Sequence, residues 1–239
     1  MSTFLDLKQD YAAIGFIRVS VFSMVKVDSK LVIALDVFDV DFAVDFARKI
    51  GREIFAIKIN WPLVMVRGSS IISELSRYSR VICDLKIADI PNTNRLIVEK
   101  VAENGAWGVI SHAFVGSDSL KAVVQAAGDM RVFSVVAMSH PGSADLISGS
   151  LENLVRISIE ANVYGLIAPG NDLEMLRKVK KMAPGMKILS PGIGAQGGSA
   201  SRAIANGSDY IIVGRAVYDD PDPLMKAREF NREISNIYP

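Results

Sequence analysis

Short apolar runs recur along the chain at nearly regular intervals, separated by stretches with helical spacing. The runs cover residues 31–35, 54–59, 81–85, 108–111, 132–137, 163–167, 187–189 and 210–213. They are rich in Val and Ile and mostly continuous, the pattern of strands buried on both faces. Between them, residues 40–50, 92–104, 117–128, 150–162, 173–182 and 199–206 place apolar side chains at helical spacing. Several of these stretches stop at glycine, at Gly51, Gly105, Gly128 and Gly207. A period of about 20 to 30 residues is the length of a βα unit. Eight such units predict an α/β fold, a closed (β/α)8 barrel forming a single domain over residues 31–239. An open doubly wound sheet is the alternative. Against it, the first βα turn, Asp36-Val37-Phe38-Asp39, has no glycine-rich dinucleotide fingerprint.

The strand ends carry the polar residues. They are Asp36, Lys58, Asp84 with Lys86, His112, Ser139, Ala168-Pro169-Gly170, Pro191-Gly192 and Gly214-Arg215. In a parallel barrel all of these lie at the C-terminal mouth, where active sites of this architecture sit. The densest stretch is Asp84-Leu85-Lys86-Ile87-Ala88-Asp89-Ile90-Pro91-Asn92-Thr93, in which Pro91 suits the first turn of a helix. Asp84 and Lys86 are two apart and share a face of the strand. Charges at such a place are expensive unless they pair or do chemistry.

Composition narrows the partners. Half the residues are apolar, and Lys+Arg 27 against Asp+Glu 26 leaves a formal net charge of +1. That balance predicts neither a nucleic-acid nor a membrane partner, and no apolar run reaches the length of a membrane span; a cytoplasmic location is expected. Any bound anion needs a local site. Cys83, the single cysteine, cannot form an internal disulfide and reads as core. Residues 1–30 form an N-terminal extension or capping segment, or reflect a start upstream of a natural one at Met24. Arg18 interrupts the apolar stretch there, which makes a poor signal peptide.

Two chemistries meet at the mouth. Ser190-Pro191-Gly192-Ile193-Gly194-Ala195-Gln196-Gly197-Gly198 follows the seventh strand and Gly214-Arg215 the eighth. Glycines let backbone N–H groups turn toward an anion, and Arg215 offers a planar fork for phosphate. Lys58, Asp84, Lys86 and Asp89 alternate in sign. This network can simply hold the mouth together, or it can keep Lys86 protonated beside an anionic substrate, ready to stabilise and protonate a carbanion. Magnesium suits carboxylates, but the interleaved lysines already supply positive charge. The only histidines, His112 and His140, form no zinc cluster. His112 reads as a core residue or a support for the site, and His140 as loop.

The stretch from Asp84 to Thr93 resembles the signature of the orotidine 5′-monophosphate decarboxylase family in its short, archaeal-like form. Leu35-Asp36, Met138-Ser139-His140-Pro141-Gly142, the 191–198 glycine loop and Val213-Gly214-Arg215 agree in order. The resemblance runs from about Leu31 to the C-terminus. It implies cofactor-free and metal-free loss of carbon dioxide from orotidine 5′-monophosphate, in de novo pyrimidine synthesis. Lys86 would protonate C6, with Asp84 beside the departing carboxylate. Lys58 would join the network and, with Asp36, bond the ribose hydroxyls. Asp89, Ile90 and Thr93 would reach across a homodimer interface into the partner's site. Ser139 would bond the pyrimidine edge, Pro191 would line the site, and Gln196 would link base and phosphate. Gly214 and Arg215 would bind the phosphate. A neighbouring reading is a magnesium-dependent sugar-phosphate lyase, 3-keto-L-gulonate 6-phosphate decarboxylase or hexulose-phosphate synthase. Asn60 is a departure, since the family often has glycine there. Asparagine tolerates positive φ, so a small backbone adjustment is expected.

Overall fold

A computed structural model describes residues 29–237. The N-terminal extension up to residue 28, including Met24, lies outside the described residues. Eight parallel strands close into a barrel in chain order. They are β1 (Leu31–Leu35), β2 (Ala56–Ile59), β3 (Arg80–Ile87), β4 (Gly108–His112), β5 (Arg131–Val135), β6 (Gly165–Ile167), β7 (Lys187–Ser190) and β8 (Tyr210–Val213). Closure rests on β1 pairing with β8, Leu31 opposite Ile211. The barrel in fact begins slightly before Leu31. Ser29 is buried and bonds Asn231, and the Lys30 carbonyl accepts from Ile211 N–H at 3.0 Å.

Around the strands lie α1 (Val40–Ile50), α2 (Trp61–Arg67), α3 (Ser70–Leu75), α4 (Pro91–Glu103), α5 (Ser117–Ala127), α6 (Leu151–Glu160), α7 (Leu173–Met182), α8 (Ala200–Ala205), α9 (Arg215–Tyr218) and α10 (Pro223–Ser235). Asp39, Asp172, Ser199 and Asp222 start α1, α7, α8 and α10 by accepting a backbone N–H of the first turn.

Strand alternation divides the core in two. Ile33, Ile57, Val81 and Cys83 face outward into the layer beneath the helices, whereas Val32, Ala56, Ile82, Ile110 and Phe133 fill the barrel. Rings seal the floor. Phe55 stacks on Tyr210 at 4.1 Å, and Trp107 meets Phe55 and Tyr164 edge-on at 5.0 and 5.9 Å. The Arg80 guanidinium lies 4.8 Å above Phe55. At the other end the inward positions turn polar. Lys58 follows Ala56, and Asp84 follows Ile82.

Candidate active site

The mouth encloses a cavity of about 310 Å³. Asp36, Lys58, Asp84, Lys86, Ser139, Pro191, Gln196, Gly214 and Arg215, all expected from the sequence, line it. Asp84 is the hub. Its side chain is 8% exposed and that of Lys58 is 6%, with Lys58 Nζ 2.9 Å from Asp84 Oδ2 and 3.5 Å from Asp36 Oδ1. Lys86 Nζ donates to both Asp84 oxygens at 2.9 Å. Two carboxylates and two ammonium groups thus form one chain with no net charge. Burial would push the Asp84 carboxyl up, but Lys58 and Lys86 together hold it below the usual carboxylate range. Burial would push Lys58 down, but Asp84 and Asp36 hold it above its ordinary value.

Backbone irregularity aims Lys86. While β4 advances from Val109 to Ser111, β3 advances from Cys83 to Ile87, so β3 bulges. Within the bulge Lys86 has φ 45°, a left-handed conformation that a lysine rarely holds. Its ammonium is turned back onto Asp84, and the side chain, 40% exposed, lines the cavity.

Directly across the barrel, the loop after β7 folds on itself through bonds from Gly198 N to Gly192 O and from Gly194 N to Gly198 O, each 3.0 Å. Gly192 has φ 92°, and a Cβ there would meet Asn171 Oδ1 at 2.6 Å, so only glycine fits. Arg215 opens α9 beside this loop and makes no ion pair among the described residues. A free guanidinium next to a glycine-rich turn is a fitting anion cradle.

Asp89, Ile90 and Thr93 are not in this cavity. Asp89 and Ile90 stand on the loop after β3 and Thr93 in the first turn of α4, a junction clamped by buried Asn94. Asn94 Oδ1 accepts the Asp89 N–H at 3.0 Å, and Asn94 Nδ2 donates to the Asp89 carbonyl at 2.9 Å and to Ser119 at 2.8 Å. Ile90 is exposed, and so are Trp61 and Met65 of α2, Leu96 of α4 and Phe114 just after β4. His112 closes β4, buried against Phe114 with Nδ1 unpaired. Burial and the Lys86 ammonium push it down to about 4, against Asp84, so the imidazole is neutral. His140 is exposed and starts a helical turn, as a loop residue would. The strand ends did not flag the apolar lining, Ile110, Val135, Ile167 and Ile212, nor Tyr218 and Asn60. Strand alternation could have found the four apolar ones, which lie on the inward face. Asn60 has φ −136° and ψ −164°, ordinary extended backbone, so the expected adjustment is not there.

The family model for the orotidine 5′-phosphate decarboxylase / HUMPS family matches residues 29–230. The chain belongs to this family. A member from Thermoplasma acidophilum named orotidine 5′-phosphate decarboxylase is 56% identical over 208 residues, covering 87% of this chain and 96% of its own length. One of the same name from Thermococcus kodakarensis is 43% identical over 213 residues, 88% of this chain and 99% of its own. Among solved structures, orotidine 5′-phosphate decarboxylase from Pyrococcus horikoshii OT3 superposes with a TM-score of 0.79 at 43% identity, covering 86% of this chain and 99% of that one. The Methanocaldococcus jannaschii orotidine 5′-monophosphate decarboxylase complexed with inhibitor BMP gives 0.82 at 35% identity, covering 86% and 98%. These relatives and structures all carry the orotidine 5′-phosphate decarboxylase name, which does not favour the sugar-phosphate lyase reading.

Proposed function

We propose that this chain converts orotidine 5′-monophosphate to uridine 5′-monophosphate and carbon dioxide in pyrimidine synthesis, with the barrel from residue 31 onward as one catalytic domain. The observation that carries this is Asp84 held between two ammonium groups in a cavity whose opposite rim offers an unpaired arginine. The substrate's phosphate occupies the Arg215 and Gly214 end with Gln196, and its ribose meets Asp36 and Lys58. Ser139 bonds the pyrimidine edge. The carboxylate on C6 then lies beside Asp84, over an apolar wall that solvates a charge poorly and neutral carbon dioxide well. The C6–carboxylate bond breaks, its electron pair stays on C6, and Lys86 Nζ gives that carbon a proton. Differential binding of the carbanion-like state, not of the substrate, supplies the rate. Both Asp84 oxygens are already taken by lysine protons, which favours a site that works without a metal. Cytoplasmic action fits an enzyme of nucleotide synthesis. The test is loss of substrate absorbance with and without EDTA, beside Lys86→Ala. EDTA-resistant turnover that falls at least about 10²-fold in the variant is expected. Magnesium-dependent turnover of a keto-sugar phosphate, with none of this nucleotide, would overturn the reading.

The working form is a homodimer. Its support is the exposed apolar Ile90, with Asp89 before it and Thr93 in the first turn of α4, all left outside their own cavity. Each chain completes its partner's site with these three residues. Mixing inactive Lys86→Ala with inactive Asp89→Ala protomers should restore about a quarter of native activity, because half the dimers then carry one intact site. No recovery after subunit exchange would mean each site is built from one chain.

A further inference from the structure

We propose that Asn60 is a ribose-binding residue of this site, its side-chain amide making a hydrogen bond with a sugar hydroxyl. This rests on the nucleotide reading above. Asparagine at the residue before a helix usually spends its side chain on capping. Asn60 stands at that position before α2, yet makes no cap hydrogen bond. Pro62 has removed one of the N–H groups such a cap would use. The side chain instead lines the cavity, and its Oδ1 is buried with no partner among the described residues. A buried amide oxygen without a donor is uncommon in native proteins and calls for a missing partner.

The register says where that partner is. Leu35 pairs with Ile59 and Ile59 with Cys83, so one step further Asn60 stands between Asp36 and Asp84. Lys58, two residues back on the same face, contacts both carboxylates. Asp84 and Lys86 mark the reacting carbon, and Arg215 marks the phosphate. Asp36 lies toward the phosphate side, its charge and that of Arg215 both felt by Tyr218. The sugar that joins base to phosphate must pass along Asp36 and Asn60. A ribose hydroxyl both donates and accepts, and a half-turn of the amide presents either of its ends, so the match does not depend on which end leads.

The experiment compares Asn60→Gly and Asn60→Ala with the native chain on orotidine 5′-monophosphate and its 2′-deoxy and 3′-deoxy analogues. Thermal melts confirm that both variants fold. KM for the ribonucleotide should rise about 3- to 10-fold in both variants, the loss of one hydrogen bond. That penalty should vanish for whichever analogue lacks the bonded hydroxyl, as in a double-mutant cycle. An unchanged KM for the ribonucleotide overturns the proposal, as does an equal penalty on all three substrates. So does weaker dimerisation with nucleotide affinity intact, which would assign the amide to the subunit interface. Failure of the native chain to turn over the ribonucleotide is a separate result, and refutes the decarboxylase reading itself.

Discussion

Replacing Asp84 by asparagine keeps the shape of the side chain and removes the charge at the hub of the network. Lys58, with its side chain 6% exposed, then keeps only Asp36, at 3.5 Å and 46% exposed. Breaking one side of a buried pair costs about 3–5 kcal/mol, because the remaining charge stays out of water. For a chain of this size that is a fall in Tm of about 6–20 °C. The sign of the pH dependence is the sharper test. In the native protein Lys58 is held above its ordinary value. Its contribution is therefore full below the unfolded lysine pKa and is lost as pH rises through the folded one. In the variant, burial is the largest influence left on Lys58 and pushes it below the unfolded value. The unfolded chain then binds the extra proton, so stability must rise with pH between neutrality and about 10. Urea unfolding at fixed protein concentration, stepped through that range, reads the slope directly. A variant that loses less than about 1 kcal/mol at neutral pH, or whose stability is flat or falling toward pH 10, refutes the argument.

Arg215→Ala should lower kcat/KM about 10- to 150-fold, the worth of a charge-assisted contact to phosphate. Arg215→Lys should recover only part of it, since an ammonium lacks the planar fork; full activity in either variant would remove Arg215 from the phosphate site. Burial, and then Asp84, push the Cys83 thiol up to about 12. It should resist thiol reagents at pH 8 in the native state and react fully once unfolded, and rapid native labelling would contradict its place beneath the helices.

The barrel is legible in the sequence because its strands are buried on both faces and write themselves as unbroken apolar runs. α2 and α10 are far less so. α2 is apolar at every position from Trp61 to Val66, so it lacks the polar face that would mark a helical period, and of α10 only Ala227 and Ile234 are buried, too narrow an apolar stripe to read as helix. In the cavity, alternation places Lys58 and Asp84 on the inward face. It says nothing of the bulge in β3 or the left-handed turn at Lys86, because two extra residues in one strand leave no compositional mark. Glycine content points to the loop after β7, but Asn60 looks like an ordinary helix cap until the structure shows it capping nothing. The placement of Asp89, Ile90 and Thr93 outside the cavity could not be read from spacing, since it depends on the clamp that Asn94 and Ser119 apply from two different helices.

The ring-filled floor gives the barrel a single door. Phe55, Trp107, Phe133, Tyr164 and Tyr210 pack ring against ring at the end away from the cavity, the filled interior of such a barrel rather than a pore. A gas formed at the bottom of the cavity must therefore escape past the nucleotide that produced it, or wait until that nucleotide leaves. Traffic through one opening makes recapture of carbon dioxide by the still-bound product a competing path. If Lys86 is the proton donor proposed above, the lifetime of the C6 anion against proton delivery from it sets the commitment to products. Exchange of labelled carbon dioxide into unreacted substrate, during turnover, would measure how often the reaction runs backward behind that door.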